Sequence, residues 1–140
     1  MAPAPDAAPP PDPFGQLYAR LGEATLRDLV ADFYRRVRAD DLIGPMYPPD
    51  DWDAAEQRLA DFLVQRFGGP THYSDRRGHP RLRMRHAPFP ITPDAARRWL
   101  QLMAHAQDHT SIPPDARPLL DQFFQQVAVH MINRPPPPAG

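Results

Sequence analysis

Apolar residues recur at three- and four-residue spacing in four stretches of the chain, the pattern of helices that bury one face. The first carries Leu26, Leu29, Val30, Phe33, Tyr34 and Val37, with Thr25 expected as its N-cap and Asp28 in capping-box position. The second runs from about 51 to 67 through Trp52, Ala55, Leu59, Phe62, Leu63 and Phe67. Asp50 or Asp51 can cap it, and Gly68-Gly69-Pro70 ends it. The third opens at Thr92-Pro93-Asp94, a cap followed by proline at the first helical position, and carries Ala96, Trp99, Leu100 and Met103. The fourth follows Pro113-Pro114 with Leu119, Leu120, Phe123, Phe124, Val127 and Met131. A short helix is expected near 17–21, closed by Gly22. No stretch alternates apolar and polar residues, so the expected class is all-α. Residues 71–91 show little periodicity and are rich in Arg, His, Pro and Gly. A connection of about 20 residues is long for a compact domain. Its apolar members Leu82, Met84, Ala87, Phe89 and Ile91 favour a functional loop packed on the core.

Composition narrows the chemistry. The 140 residues hold 16 basic and 17 acidic side chains, a net charge of -1, which lacks the cationic surplus that phosphate neutralisation needs. Nucleic acid is therefore not an expected partner. Every basic residue is Arg, which removes lysine Schiff-base chemistry and the P-loop lysine. The absence of Cys removes disulfides, thiol nucleophiles and Cys-ligated metals. No apolar run approaches the roughly 20 residues that span a bilayer, and the N-terminus lacks signal-peptide character. The expectation is a cytoplasmic protein without membrane insertion. Six of the 21 prolines lie in residues 1–13 and four in 135–138. Such tails cannot bury apolar surface, so 1–13 and 135–140 are expected to be disordered around one domain at 14–134.

The titratable inventory is mainly six histidines. Most Asp and Glu fall on expected solvent faces or caps, and Ser is scarce, so neither a carboxylate pair nor a hydrolase triad is supported. His105 and His109 are spaced to share a helix face, but no Glu stands between them, and two solvated histidines are the plainer reading. His130 fits a helix end, where the dipole favours it. His86 sits in the run His79-Pro80-Arg81-Leu82-Arg83-Met84-Arg85-His86-Ala87-Pro88-Phe89-Pro90. A lone His beside apolar residues is usually structural. A short turn carrying one His, bracketed by arginines and stopped by Pro88, would equally suit a large planar anionic cofactor. The imidazole would bind iron and the arginines would neutralise carboxylates.

These residues resemble the truncated haemoglobins, specifically their group II branch. The resemblance covers 14–134 and rests on Phe33-Tyr34, Met46-Tyr47-Pro48, Gly68-Gly69-Pro70 with Tyr73-Ser74, Trp99, and the run from Gly78-His79-Pro80 to His86-Ala87-Pro88-Phe89. It implies a globin-like two-over-two helical sandwich around haem b, iron protoporphyrin IX. It implies His86 as the proximal iron ligand. Tyr34, Tyr47 and Trp99 would line the distal side as hydrogen-bond donors to a bound diatomic ligand, each worth about 1–3 kcal/mol in a dry pocket. Taken without the resemblance, three large aromatics at helical spacing simply fill a core. Ala55 would occupy the position where many globins place a distal His, and alanine cannot donate to a ligand. Leu59 would pack on the haem face, with Phe62 and Leu63 on the cavity wall. Arg85 and Arg81 are candidates for the haem propionates, with Tyr73 a further one. Met84 is an axial ligand by chemistry alone; its closeness to His86 assigns it to packing.

The function implied is reversible binding of dioxygen, carbon monoxide or nitric oxide. Two tyrosines and a tryptophan point to slow release. That suits redox chemistry, such as nitric oxide detoxification or peroxide reactions served by a separate reductase, better than bulk oxygen transport. No residue chooses among nitric oxide dioxygenase, peroxidase-like and purely oxygen-binding activity. A haem-based sensor and a haem-free helical interaction module are the alternatives from other classes.

Overall fold

The computed structural model describes residues 12–78, 86 and 89–134. Among the described residues six α-helices carry the fold: α1 (Leu17–Leu21), α2 (Glu23–Arg38), α3 (Trp52–Arg66), α4 (His72–Arg77), α5 (Pro93–Asp108) and α6 (Arg117–Met131). Two 3-10 turns, Pro13–Gln16 and Gly44–Met46, precede α1 and follow α2. No strand occurs among the described residues. α2 packs on both α3 and α5, and α6 covers α5, which makes a two-over-two helical sandwich. No described helix is long and apolar enough to cross a membrane.

The hydrophobic stripes account for the packing. Leu26, Leu29, Val30, Phe33 and Val37 of α2 are each 0% exposed, so this helix is the hub of the core. Burying each such side chain contributes about 1.5–3 kcal/mol before the entropy of ordering is charged against it. The expected cap of α5 is present: the Thr92 hydroxyl accepts from Ala95 N at 3.1 Å. The stop of α3 is a Schellman turn, with Gly69 N donating to Val64 O and Gly68 N to Gln65 O. Gly68 holds φ +102°, and a Cβ there would collide with the Gly15 carbonyl oxygen. The start of α1 therefore sits directly on the end of α3, tied by Tyr18 N donating to Phe67 O at 2.8 Å.

Four local expectations are corrected. α2 begins at Glu23 with Gly22 as its N-cap, so Thr25 lies inside the first turn and Asp28 closes no capping box. Gly22, at φ +84°, both ends α1 and starts α2, which leaves no unpaired lead-in for Thr25 to cap. Asp51 is the N-cap of α3 by position, yet its carboxylate makes no capping bond and pairs with Arg58 instead. Residues 72–77, read as irregular, form α4. Asp12 and Pro13, read as tail, open the first turn: Asp12 Oδ1 accepts from Phe14 N and Oδ2 from Arg66.

Asp61 is an exception to the expectation that most carboxylates fall on caps and solvent faces. This residue is fully buried on α3 and receives Arg27 of α2 at 3.0 Å, Arg76 of α4 at 2.6 Å and Arg77 of α4 at 3.6 Å. Burial pushes its carboxyl up, the guanidinium hydrogen bonds pull it down, and the pull wins. A buried carboxylate survives because its lone pairs are taken by cations whose outer sides reach water. The cluster stitches α2, α3 and α4 together.

Candidate functional site

The sandwich encloses a cavity of about 510 Å³, within the size range of sites that hold a cofactor or drug-sized ligand. α2 contributes Tyr34, and the segment before α3 contributes Met46, Tyr47 and Asp51. α3 supplies Ala55, Arg58, Leu59, Phe62 and Leu63, at the three- and four-residue spacing of one helix face. Tyr73 comes from α4, Trp99 from α5, and Phe123, Phe124 and Val127 from α6. His86, Phe89 and Ile91 close a further wall.

Tyr34, Tyr47, Trp99, His86, Tyr73, Ala55, Leu59, Phe62 and Leu63, all named from sequence, thus meet at one cavity. Arg81, Met84 and Arg85 lie outside the described residues, so their expected roles stay proposals. His105 and His109 are exposed, and the His109 Nδ1–H donates to the His105 carbonyl oxygen at 2.8 Å. No set of three metal-binding side chains gathers among the described residues. His130 is exposed in the last turn of α6, as the dipole argument requires.

The aromatic wall is tightly set. Tyr34 is 5% exposed and meets Phe33, Tyr47 and Trp52 edge-on at centroid distances of 5.1, 5.7 and 6.4 Å. Trp99 stands edge-on between Phe33 at 5.1 Å and Phe124 at 5.7 Å. Burial raises the Tyr34 phenol well above its usual value, and the neighbouring Tyr47 raises it further. Burial also raises Tyr47, while the neighbouring Tyr34 lowers it. The two phenols thus lie side by side at the cavity, their rings 5.7 Å apart edge-on. Both phenols stay protonated donors at neutral pH.

Three residues of the site escaped the sequence reading. Trp52 stacks on Tyr47 at 5.1 Å and 27°, with the Arg38 guanidinium 5.3 Å from its own ring centroid, and so fixes the Tyr47 ring from behind. Arg58 lines the cavity and pairs with Asp51 at 2.6 Å. Its sequence signal was present: it lies three residues after Ala55 and four before Phe62, on the cavity face. The Arg58 guanidinium holds the Asp51 carboxyl below its usual value, against a smaller upward push from burial. Gln65 is the third. Its Oε1 accepts from Ser74 N at 2.9 Å and its Nε2 donates to Ser74 Oγ at 2.7 Å, which satisfies an open N–H in the first turn of α4. This aims Tyr73 at the cavity, where it is 4% exposed against Phe62.

The donor chemistry fits an iron porphyrin. The walls are apolar on several sides, His86 is the imidazole among the described lining residues, the phenols and the indole are neutral donors, and the one lining carboxylate among the described residues, Asp51, is engaged by Arg58. Comparison with known proteins agrees. Residues 16–133 match the family model of bacterial-like globins. The chain is 40% identical over 121 residues to group 2 truncated hemoglobin YjbI of Bacillus subtilis (strain 168), across 86% of this chain and 91% of that one. The group II truncated hemoglobin of Bacillus anthracis superposes with a TM-score of 0.82 at 33% identity, covering 91% of this chain and 96% of the other. A truncated oxygen-avid haemoglobin of Bacillus subtilis gives 0.79 at 40% identity, with 83% and 98% covered. Similar helices in similar order, over nearly the whole of each relative, leave one assignment: the chain belongs to the bacterial-like globins as a group 2 truncated haemoglobin, a family that carries haem.

Proposed function

We propose that this chain holds haem through His86 and retains dioxygen, carbon monoxide or nitric oxide with Tyr34, Tyr47 and Trp99 as hydrogen-bond donors. Family membership implies haem-based oxygen binding; the residue roles are the finer reading. The observation that carries it is the gathering of His86 and the three donors on one apolar cavity. When bound, haem supplies an iron that takes small diatomic ligands and exchanges electrons. His86 must offer a neutral ring nitrogen, which requires its other nitrogen to keep the proton. Arg81 and Arg85 carry the positive charge that would meet propionates.

Tyr47 lines the cavity with its ring fixed against Trp52 and its phenol kept protonated by burial, so its hydroxyl is a donor for a ligand held there. A donor set before the ligand arrives costs no reorganisation and acts at full strength in a water-poor site. Ligand escape should therefore be slow, in keeping with the oxygen-avid relative from Bacillus subtilis. Asp51 is the cavity-lining carboxylate, and Arg58 keeps it ionised and engaged. A general base works best with a pKa near the operating pH, so Asp51 is an anchor for Arg58 and a poor proton acceptor for peroxide cleavage. This favours oxygen retention and reaction with nitric oxide over a dedicated peroxidase role. Repeated turnover of such chemistry needs an outside reductant, so a reductase partner belongs to the proposal.

The test starts with the absorption spectrum of purified protein: a Soret band that shifts with carbon monoxide is expected. Stopped-flow mixing of the oxygenated protein with nitric oxide should then give nitrate and the ferric spectrum. A chain that stays colourless after reconstitution overturns the assignment. A normal spectrum with no reaction toward nitric oxide restricts the function to ligand binding.

A further inference from the structure

The residues after α6 fold back onto the segment that carries His86. Asn133 makes three side-chain hydrogen bonds there: Nδ2 donates to the His86 carbonyl at 3.1 Å and to the Phe89 carbonyl at 2.9 Å, and Oδ1 accepts from Ile91 N at 2.9 Å. The backbone adds two more, with Asn133 N and Arg134 N both donating to Ile91 O, at 2.9 and 3.2 Å. The His86 carbonyl also accepts from Phe89 N at 2.9 Å, so its two lone-pair directions are both used. Phe89, 6.3 Å from the His86 ring centroid to centroid, is held by the same amide.

We infer that Asn133 is a positioning residue for the His86 imidazole: it ties down the backbone at the His86 carbonyl, Phe89 and Ile91, and so sets how the ring meets iron. The inference rests on the reading of His86 as the haem ligand and goes beyond it. Only an amide can serve at this position. Two carbonyls need a donor and one N–H needs an acceptor, and Asn supplies both from a single short, stiff side chain. The clamp is remote in sequence, 47 residues from His86, but it comes from the C-terminal end of α6, whose Phe123, Phe124, Val127 and Met131 line the same cavity. Helix α6 thereby forms one cavity wall and also fixes the proposed ligand. Residues that orient a metal ligand are often nearly as consequential as the ligand itself.

The test uses the full chain loaded with haem. Asn133→Ala removes all three bonds. Asn133→Asp keeps the shape and the acceptor for Ile91 N, but sets an oxygen against two carbonyls. Both variants should release haem to an excess of a haem-scavenging globin about 10–100-fold faster. In the ferrous, ligand-free state both should shift or broaden the iron–histidine stretching band in resonance Raman spectra. Thr92→Ala, which removes the cap of α5 without touching His86, controls for general loosening. It should lower the melting temperature but leave the Raman band and the haem-release rate at wild-type values. If both Asn133 variants keep the wild-type band and release rate, the inference is overturned. It is equally overturned if Thr92→Ala moves those readouts as far. His86→Gly tests the underlying reading separately: it should lose the band, and added imidazole should restore a five-coordinate ferrous spectrum. An unchanged band in His86→Gly overturns the ligand assignment and the inference together; its loss, with Asn133 variants unaffected, overturns the positioning role alone.

Discussion

Removing the Tyr47 hydroxyl while keeping its ring isolates one of the donors that the cavity gathers. In Tyr47→Phe the stacking on Trp52 at 5.1 Å and the edge contact with Tyr34 at 5.7 Å both persist, so the change is confined to one O–H. A hydrogen bond to a partly charged acceptor in a dry site is worth about 1–2 kcal/mol. At about 1.4 kcal/mol per tenfold, that predicts oxygen release roughly 5–30-fold faster, read by stopped-flow displacement of oxygen with excess carbon monoxide. Tyr34→Phe should act in the same direction, and because its ring meets that of Tyr47 at 5.7 Å the two hydroxyls should not act independently. The double variant should then release oxygen more slowly than the two single effects multiplied, a coupling within the 0.5–3 kcal/mol found for residues in one network. Strict additivity would refute the coupling. Wild-type rates in all three variants would refute the donor role altogether. Because both phenols are held above the ordinary tyrosine value of 10.0, the wild-type release rate should stay flat from neutral pH to that value. A titration of the rate below it would contradict their burial.

Further outcomes at four positions follow from the same structure. His86→Ala should abolish stable haem retention, checked by the haem-to-protein ratio after gel filtration; an unchanged ratio would remove His86 from the site. Trp99→Phe should speed oxygen release while keeping the edge contacts with Phe33 and Phe124, and an unaltered rate would make its indole a packing group only. Asp61→Ala leaves three guanidinium groups facing a void and should destabilise the fold by about 2–4 kcal/mol, measured by urea unfolding. The Asp61 carboxyl is held below its usual 3.8, so the stability it contributes is full above that pH and is lost as pH falls through the folded value. Acid unfolding of Asp61→Asn should accordingly show a flatter dependence below pH 3.8 than wild type. Gly68→Ala puts a Cβ at φ +102° against the Gly15 carbonyl; it should cost more than about 1 kcal/mol and lower the melting temperature by several degrees, seen by circular dichroism.

Helix existence and the face each helix buries were legible in the chain, because both are local properties. A stripe such as Leu26, Leu29, Val30, Phe33 and Val37 permits one periodicity, and the Thr92-Pro93 and Gly68-Gly69 signals act within a few residues of themselves. α4 was not legible. Its six residues, HYSDRR, are polar, and isolated helices that short do not hold in water. It forms because Gln65 takes its Ser74 N–H and the buried Asp61 takes Arg76 and Arg77, partners that belong to α3. Thr25 misled for a related reason: a good capping residue does not cap where the preceding helix ends only one glycine before the next begins.

The candidate site divides along the same line. The residue types that can hold haem and donate to its ligand are written in the chain, since an imidazole, two phenols and an indole keep their chemistry in any fold. Which of them share a cavity, that Arg58 pins Asp51, and that Asn133 reaches the backbone of His86 were decided only by tertiary structure. Those relations join residues as far apart as Tyr34 and Trp99, and directional bonds of about 3 Å exist only after the packing of α2, α3, α5 and α6 has set the distances.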